Sequence, residues 1–147
     1  MHESFSHSVN VTVRFHEVDM LGVCNNAVYL SYFEEARIAM IRDMGLLPEG
    51  GIFTSGHLFF MVRNEIDYHS HSRYADVLKV ESRISYIKNS SYGFKHRVTR
   101  ISDGMLIASG GGVVAQVNRE TGKKENLTDE FIQKVIAFQG ETELRRN

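Results

Sequence analysis

The sequence predicts an α+β fold, with an antiparallel sheet of about five strands wrapped around one long central helix and a short helix near the C-terminus. Three observations support this prediction: a segment with a period of two, a longer segment with a helical period, and several further alternating segments separated by turn residues. A helix with a long apolar face must be covered, and a curled sheet covers it economically. The 147 residues fit one domain, which we take as residues 1–147.

A change of period separates the first strand from the long helix. The alternating residues that predict a half-buried strand are Val9, Val11, Val13 and Phe15. The residues that predict a helix of about five turns recur every three or four positions; they are Tyr29, Tyr32, Phe33, Ala36, Met40 and Met44. Asn25 or Asn26 can cap the start of this helix, and Gly45 can end it. Residues 49–57 are predicted to form a glycine-rich loop.

The rest of the chain is predicted to contain four strands and a short helix. One face of the first of these strands is expected to carry Phe60, Val62, Asn64, Ile66 and Tyr68. Further strands are expected from residue 78 toward 86, over 92–98 and over 105–118, with turns at 89–91 and 102–104. The run Gly110–Gly112 in the last strand indicates a bulge or a close backbone approach. Thr128 is predicted to cap the C-terminal helix.

Composition excludes several functional classes. The chain has 17 basic and 18 acidic residues, a net charge of -1, so no nucleic-acid surface is expected. Its apolar runs are too short to span a bilayer, and no secretory signal is apparent, so we expect neither a membrane partner nor export. The single cysteine, Cys24, suits a reducing compartment, and we therefore expect a cytoplasmic protein.

The most informative segment joins the first strand to the long helix. Asp19 lies between the two elements, Gly22 allows a sharp turn, and Asn25 and Asn26 stand where the helix is predicted to begin. The layout places a carboxylate beside helix N–H groups that lack intrahelical acceptors. Acyl transfer needs a base or nucleophile and a stabilising site for the oxyanion, and this segment offers both.

These motifs resemble those of the hotdog-fold acyl-CoA thioesterases of the 4-hydroxybenzoyl-CoA thioesterase-like family. The resemblance lies in residues 15–37, 62–76 and 90–94 and extends over nearly the whole chain. It implies that Asp19 acts as nucleophile or general base on the thioester, and that the backbone N–H near Asn26 polarises the thioester carbonyl. It also implies an active site at a subunit interface, and hence a homodimer or homotetramer. Four positions depart from the family pattern: Glu17, Val23, His71 and Ala75.

The resemblance implies hydrolysis of an acyl-CoA or acyl-carrier-protein thioester, without a metal or another cofactor. Ser90 and Ser91 match a segment that lies along the pantetheine arm, and Lys88 is placed to contact a phosphate of coenzyme A. An acyl pocket is expected beside the helix and Phe59 or Phe60. The candidate substrate-binding residues are Gly22, Val23, Asn25, Tyr29, His57, Phe60, Lys88, Ser90 and Ser91.

Structural roles compete with these functional ones. Asp19 could serve only as a turn residue, Cys24 is better explained as small buried filler than as a nucleophile, and Glu34 can pair with Arg37 along the helix. The pair His69 and His71 offers too few ligands for zinc. Two other functions stay open on the same fold: a non-catalytic acyl-thioester binding protein, and a hydratase or dehydratase. The latter would need a catalytic histidine, which this chain lacks at position 23.

Overall fold

A computed structural model describes residues 4–47 and 57–147, and within them the predicted α+β fold is confirmed. The helices are α1 (Val28–Asp43) and α2 (Asp129–Gln139). The strands are β1 (His7–Thr12), β2 (His57–Tyr68), β3 (Val77–Ile87), β4 (Ser91–Arg100), β5 (Leu106–Asn118) and β6 (Glu143–Leu144). The part of the glycine-rich loop predicted over residues 49–56 lies outside the described residues.

The described strands form one sheet in the order β1-β3-β4-β5-β2. All neighbours along this path are antiparallel, and the short β6 adds to β3 in parallel. Because β2 comes last in the order, it is an edge strand that pairs only with β5 among the described strands. No helix in the described part of the chain has the length and apolar character to cross a bilayer.

The long helix packs its predicted apolar face against the sheet in two clusters. Near its N-terminal half, Tyr29, Tyr32 and Phe33 pack with residues of β1, β3 and β5. Toward its C-terminal end, Met40 and Met44 pack with residues of β3, β4, β5 and α2. The helical period read from the sequence therefore marks the buried face correctly. The C-terminal helix also begins as predicted, because Thr128 Oγ1 accepts a hydrogen bond from the Phe131 N–H at 3.1 Å.

A β-bulge changes which residues of β2 share a face. Met61 pairs with Val114 and Arg63 with Val113, so one extra residue, Val62, lies between consecutive pairs. The alternation reverses at this point, because an inserted residue moves every later side chain to the other face. Phe60 is therefore on the opposite face from Ile66, and the prediction that the even-numbered residues from 60 to 68 share one face is wrong.

The glycine run in β5 reflects the close approach of the two neighbouring strands. A Cβ atom on Gly110 or Gly112 would collide with a backbone carbonyl oxygen of β2, and one on Gly111 with the carbonyl oxygen of Phe94 on β4. The pairing of β5 is regular through these three residues, and the bulge lies in β2 instead. Of the two alternatives that the sequence left open, close backbone approach is the one observed.

Candidate active site

The segment that precedes α1 folds into a tight hairpin. The Asn25 N–H donates to the Glu17 carbonyl at 2.8 Å, and the Asp19 N–H donates to the Val23 carbonyl at 2.9 Å. At its tip, the Gly22 N–H donates to the Asp19 carbonyl at 3.0 Å, with Gly22 at a φ of 78°. Glycine adopts this left-handed conformation without steric cost, which explains its place in the turn. We refer to residues 17–25, which contain the candidate catalytic residue Asp19, as the catalytic hairpin.

The Asp19 side chain is exposed on this hairpin and held through one of its two oxygens. Its Oδ1 accepts a hydrogen bond from the Leu21 N–H at 2.8 Å, while Oδ2 accepts none from the described residues. The turn interpretation of Asp19 is thus correct as far as Oδ1 is concerned. It does not compete with a chemical role, because the second oxygen stays available while the first fixes the orientation of the carboxylate.

The helix begins two residues later than the sequence suggested. Its first residue is Val28, and Ala27, at the N-cap position, supplies no side-chain cap. Asn25 still organises this end, since its Oδ1 accepts from the Ala27 N–H at 3.0 Å and its carbonyl accepts from the Val28 N–H at 3.0 Å. Within residues 4–47 and 57–147, nothing accepts a hydrogen bond from the N–H of the exposed Asn26. A donor without an acceptor therefore lies just before the positive end of the helix dipole.

Tyr68, at the end of β2, contacts this same turn. Its hydroxyl donates to the Asn26 carbonyl at 2.8 Å, and its ring meets the Tyr29 ring edge-on at a centroid distance of 5.7 Å. The sequence pattern predicted that Tyr68 lies in a strand and indicated no contact with the start of α1. Alternation alone contains no sign of this contact, because it joins residues 42 positions apart in the chain.

A layer of buried polar groups supports the catalytic hairpin from below. The Tyr32 hydroxyl donates to Glu17 Oε1 at 2.9 Å, and this same oxygen accepts from the Arg14 N–H at 2.8 Å. Glu17, one of the four positions that depart from the family pattern, is therefore engaged in holding the structure. The Tyr29 hydroxyl lies 2.6 Å from Ser72 Oγ, and burial, the largest effect, raises the pKa of Tyr29 to about 12.

Cys24 belongs to this buried layer and is not an exposed nucleophile. Its side chain is 2% exposed, and Sγ lies 3.9 Å from the Tyr32 hydroxyl. Burial, more than any neighbouring group, raises the pKa of the Cys24 thiol. A protonated, enclosed thiol is a poor nucleophile, which agrees with the filler role expected from the sequence.

Several candidate substrate-binding residues do not meet the catalytic hairpin within one chain. Ser90 lies in the β3–β4 turn and Ser91 is the first residue of β4; the Lys88 N–H donates to the Ser91 carbonyl at 2.8 Å. The ends of β3 and β4 next to this turn pack on the C-terminal half of α1, whereas Asp19 lies beyond the N-terminal end of the helix. His57 is the first residue of β2 and pairs with Asn118, so its assignment to a loop is wrong. Val23, by contrast, lies in the hairpin and bridges to Arg73.

A cavity of about 520 Å³ opens beside the C-terminal half of α1. Its walls are mainly apolar and include Ile38 of α1, Phe59 and Met61 of β2, and Phe94 of β4. Phe59 is the candidate that faces this cavity, while the 52% exposed Phe60 is on the opposite face of β2 and does not line it. We call this space the apolar cavity.

Arg37 is a buried cation in the wall of the apolar cavity. Arg37 is only 8% exposed, and burial lowers the pKa of its guanidinium while the nearby Glu34 carboxylate acts in the opposite direction. The charge of Glu34 thus acts on Arg37, but no hydrogen bond or ion pair between the two side chains is found among the described residues, so their spacing alone does not make them a pair. Among the described residues, no three metal-ligating side chains cluster, and His69 Nε2 lies 2.7 Å from Ser109 Oγ.

Comparisons with known proteins agree with this architecture. The sequence model of the thioesterase-like superfamily matches residues 13–135. The chain is 30% identical to YsmA of Bacillus subtilis over 131 residues, which cover 86% of this chain and 83% of that protein. It is 31% identical over 94 residues to the acyl-CoA thioesterase YbgC of Haemophilus influenzae, covering 63% of this chain and 68% of YbgC.

Solved structures show the same fold. A thioesterase from Thermus thermophilus, crystallised with coenzyme A and zinc, is 34% identical and superposes with a TM-score of 0.79, covering 95% of this chain and 99% of that one. Slr0204 of Synechocystis, a 1,4-dihydroxy-2-naphthoyl-CoA thioesterase, superposes with a TM-score of 0.80 over 88% of this chain and 94% of its own; at 16% identity it supports the fold alone. The predicted hotdog fold is therefore confirmed, and the chain belongs to the thioesterase-like superfamily.

Proposed function

We propose that this protein hydrolyses an acyl-CoA or acyl-carrier-protein thioester to a free acid and a thiol. The observation that carries the proposal is the geometry of the catalytic hairpin. It presents an Asp19 oxygen that no described residue engages, and it leads directly into the Asn26 N–H, which has no acceptor among the same residues. A carboxylate and an oxyanion donor on one short segment are the two groups that thioester hydrolysis requires.

In the proposed reaction, the thioester carbonyl oxygen accepts a hydrogen bond from the Asn26 N–H. Asp19 either removes a proton from water as the water oxygen attacks the carbonyl carbon, or attacks that carbon itself. Negative charge then builds on the carbonyl oxygen beside the positive end of α1, which stabilises it. The carbon–sulfur bond breaks as the carbonyl re-forms, and the departing thiolate takes up a proton. In the nucleophilic variant, water then hydrolyses the mixed anhydride and restores the Asp19 carboxylate.

The apolar cavity is the proposed acyl site. Its lining by Ile38, Phe59, Met61 and Phe94 favours an apolar or aromatic acyl group over a polar one. No hairpin residue lines this cavity, so the acyl site and the carboxylate have no residue in common within one described chain.

The proposed activity is tested by measuring thiol release from a panel of acyl-CoAs, from short-chain through aromatic to long-chain, and from the same acyl groups on a carrier protein. Asp19→Asn should lower turnover on the order of 10²–10⁴-fold, because it removes both basicity and nucleophilicity while preserving size. Asp129→Asn, at an exposed position in the first turn of α2, is the matched control and should retain activity. A folded Asp19→Asn protein with undiminished turnover would refute the assignment, and binding of acyl-CoA without thiol release would favour the binding-protein alternative.

We further propose that the active protein is a homodimer or homotetramer. One edge of β2 pairs with no other described strand, and the bulged residue Val62 is 61% exposed beside Phe60 at 52%. Exposed apolar edges of this kind favour association with a second chain. Sedimentation at micromolar concentration should show at least twice the 16.8 kDa chain mass. Val62→Lys should shift the protein toward monomer, whereas Ile101→Lys, at another exposed apolar site away from β2, should not. A monomer that hydrolyses thioesters at full rate would contradict the proposal.

A further inference from the structure

We infer that Tyr68 is a positioning residue that orients the oxyanion donor at the start of α1, an inference that rests on the proposed function. The feature behind it is the peptide unit between Asn26 and Ala27, which is held at both of its polar ends. The Tyr68 hydroxyl donates to its carbonyl oxygen at 2.8 Å. Its N–H group, on Ala27, donates to Asn25 Oδ1 at 3.0 Å. Because a peptide unit is planar, two opposed hydrogen bonds fix its rotation.

The preceding peptide unit, between Asn25 and Asn26, is held at one end only. Its carbonyl oxygen accepts from the Val28 N–H at 3.0 Å, while its N–H, on Asn26, has no acceptor among the described residues. The two planes meet at the Asn26 Cα atom, so fixing the second plane restricts how far the first can tilt. The Tyr68 hydrogen bond therefore restricts the direction of the Asn26 N–H, which is the donor proposed to bind the thioester carbonyl oxygen.

Helix stability alone does not call for the Tyr68 hydrogen bond. At the N-terminal end of a helix the unsatisfied groups are N–H donors, whereas the carbonyls there are turned into the helix and find N–H partners. A hydroxyl that donates to the Asn26 carbonyl satisfies none of the orphan donors. Its distinctive effect is to connect the turn to the sheet.

Tyr68 can hold the turn in place because its own position is fixed by two sets of contacts. Its backbone pairs with Ala108 on β5, and its ring rests against Tyr29. Tyr29 is 2% exposed and is hydrogen-bonded in turn to Ser72. The hydroxyl is thus held on a rigid strand end, and preorganised donors stabilise a developing oxyanion better than mobile ones do.

The test compares Tyr68→Phe, which keeps the ring and removes the hydroxyl, with Tyr86→Phe. The Tyr86 ring lies under the Arg145 guanidinium at 4.0 Å, a contact that phenylalanine retains. Tyr68→Phe should lower kcat about tenfold, the effect of losing one hydrogen bond's restraint, with KM and the pH profile unchanged. Tyr86→Phe should leave both constants unaltered. Asn25→Ala, which frees the other end of the same peptide unit, should lower kcat in the same way and keeps the test decisive if Tyr68→Phe folds poorly.

A spectroscopic measurement reports on the donor itself. With a ¹³C-labelled thioester carbonyl bound to Asp19→Asn, the infrared carbonyl stretch should fall below that of the free thioester, because the Asn26 N–H polarises it. Adding Tyr68→Phe should move the band back toward the free value. An unchanged kcat with a lowered melting temperature, or a raised KM with an unchanged kcat, would overturn the inference alone. Absence of thiol release from every thioester by the unaltered protein would overturn the proposed function as well, so the two failures are distinguishable.

Discussion

The two ends of α1 are built in different ways. At the N-terminal end, the backbone forms a tight hairpin; the Leu21 N–H donates to Asp19 Oδ1, and the Ala27 N–H donates to Asn25 Oδ1 where the hairpin meets the helix. At the C-terminal end, apolar side chains surround the cavity, and Arg37 is a buried cation in its wall. Hydrogen bonds, which depend on direction, determine the structure at the N-terminal end. The volume and burial of side chains determine the structure at the C-terminal end.

This difference separates the proposed chemistry from the proposed acyl recognition. Small changes in the hairpin should act on turnover for every substrate, because they alter groups that meet the thioester itself. Changes in the apolar cavity should act on the choice of acyl group and leave the chemical step intact. Three predictions test this division, and they run from the largest expected effect on turnover to the smallest.

The largest effect is expected at Asn26. Asn26→Pro removes the backbone N–H and should lower kcat on the order of 10²-fold, the cost of losing one oxyanion donor. Asn26→Ala keeps that N–H and should be close to unaltered, because the Asn26 contact with Tyr68 is made by the backbone carbonyl and not by the side chain. Steady-state kinetics with one acyl-CoA checks both variants, with circular dichroism to establish folding. Equal losses in the two variants would show that the side chain does the work attributed to the backbone.

A smaller and selective effect is expected from filling the apolar cavity. Ile38→Trp adds bulk at its α1 wall and should raise KM about tenfold for large acyl groups while sparing acetyl-CoA, since pocket contacts discriminate by size. Ile101→Trp, on the exposed turn after β4, provides the control. Loss of acetyl-CoA hydrolysis in folded Ile38→Trp would show that the two ends of the helix are not separable.

The smallest effect on turnover and a clear effect on stability are expected at His96. This side chain is 2% exposed and stacks on Phe33 at 4.5 Å; burial, and then the charge of Arg37, lower the pKa of His96 to about 3. The unfolded chain binds a proton near its ordinary pKa of about 6.5, whereas the folded protein does not, so the stability present at neutral pH is lost as the pH falls.

Denaturation at two pH values measures this loss. Between pH 7 and about pH 5 the His96 contribution should reduce the free energy of unfolding by about 2 kcal/mol. His96→Phe should have a shallower pH dependence by that amount, and the difference between the two proteins isolates this residue from the other titrating groups. Parallel pH curves for the two proteins would mean that His96 titrates normally in the folded state.

Sequence patterns predicted the helix and the turn before it better than they predicted the faces of β2. The apolar period of α1 is sustained over many residues, so one error does not disturb it, and Gly22 marks its turn by a conformational need that few residues meet. The bulge at Val62 has no local sequence sign, yet it reverses the alternation and separates Phe59, which lines the cavity, from Phe60, which does not.

The sequence indicated several residues of the site, but it did not indicate which of them contact one another. The start of α1 is set by hydrogen bonds to the Asn25 side chain and carbonyl, which place the first helical residue at Val28. The contact of Tyr68 with Asn26 depends on how the edge strand returns past the helix, and only the folded chain determines that. Ala75, another of the four departures from the family pattern, is a further case: it has a φ of 71°, a left-handed conformation that glycine adopts without steric cost.

The three glycines of β5 affect how closely the neighbouring strands of the sheet approach one another. Because residues 110–112 have no side chains, β2 and β4 approach the backbone of β5 directly, and the backbone atoms set the distance between these strands. A single methyl group here would act as a spacer between strands. Gly110 pairs with Ile66, two residues before Tyr68 at the end of β2, so such a spacer would displace the Tyr68 hydroxyl. The three glycines of β5 therefore help to set the geometry of a site to which they contribute no side chain.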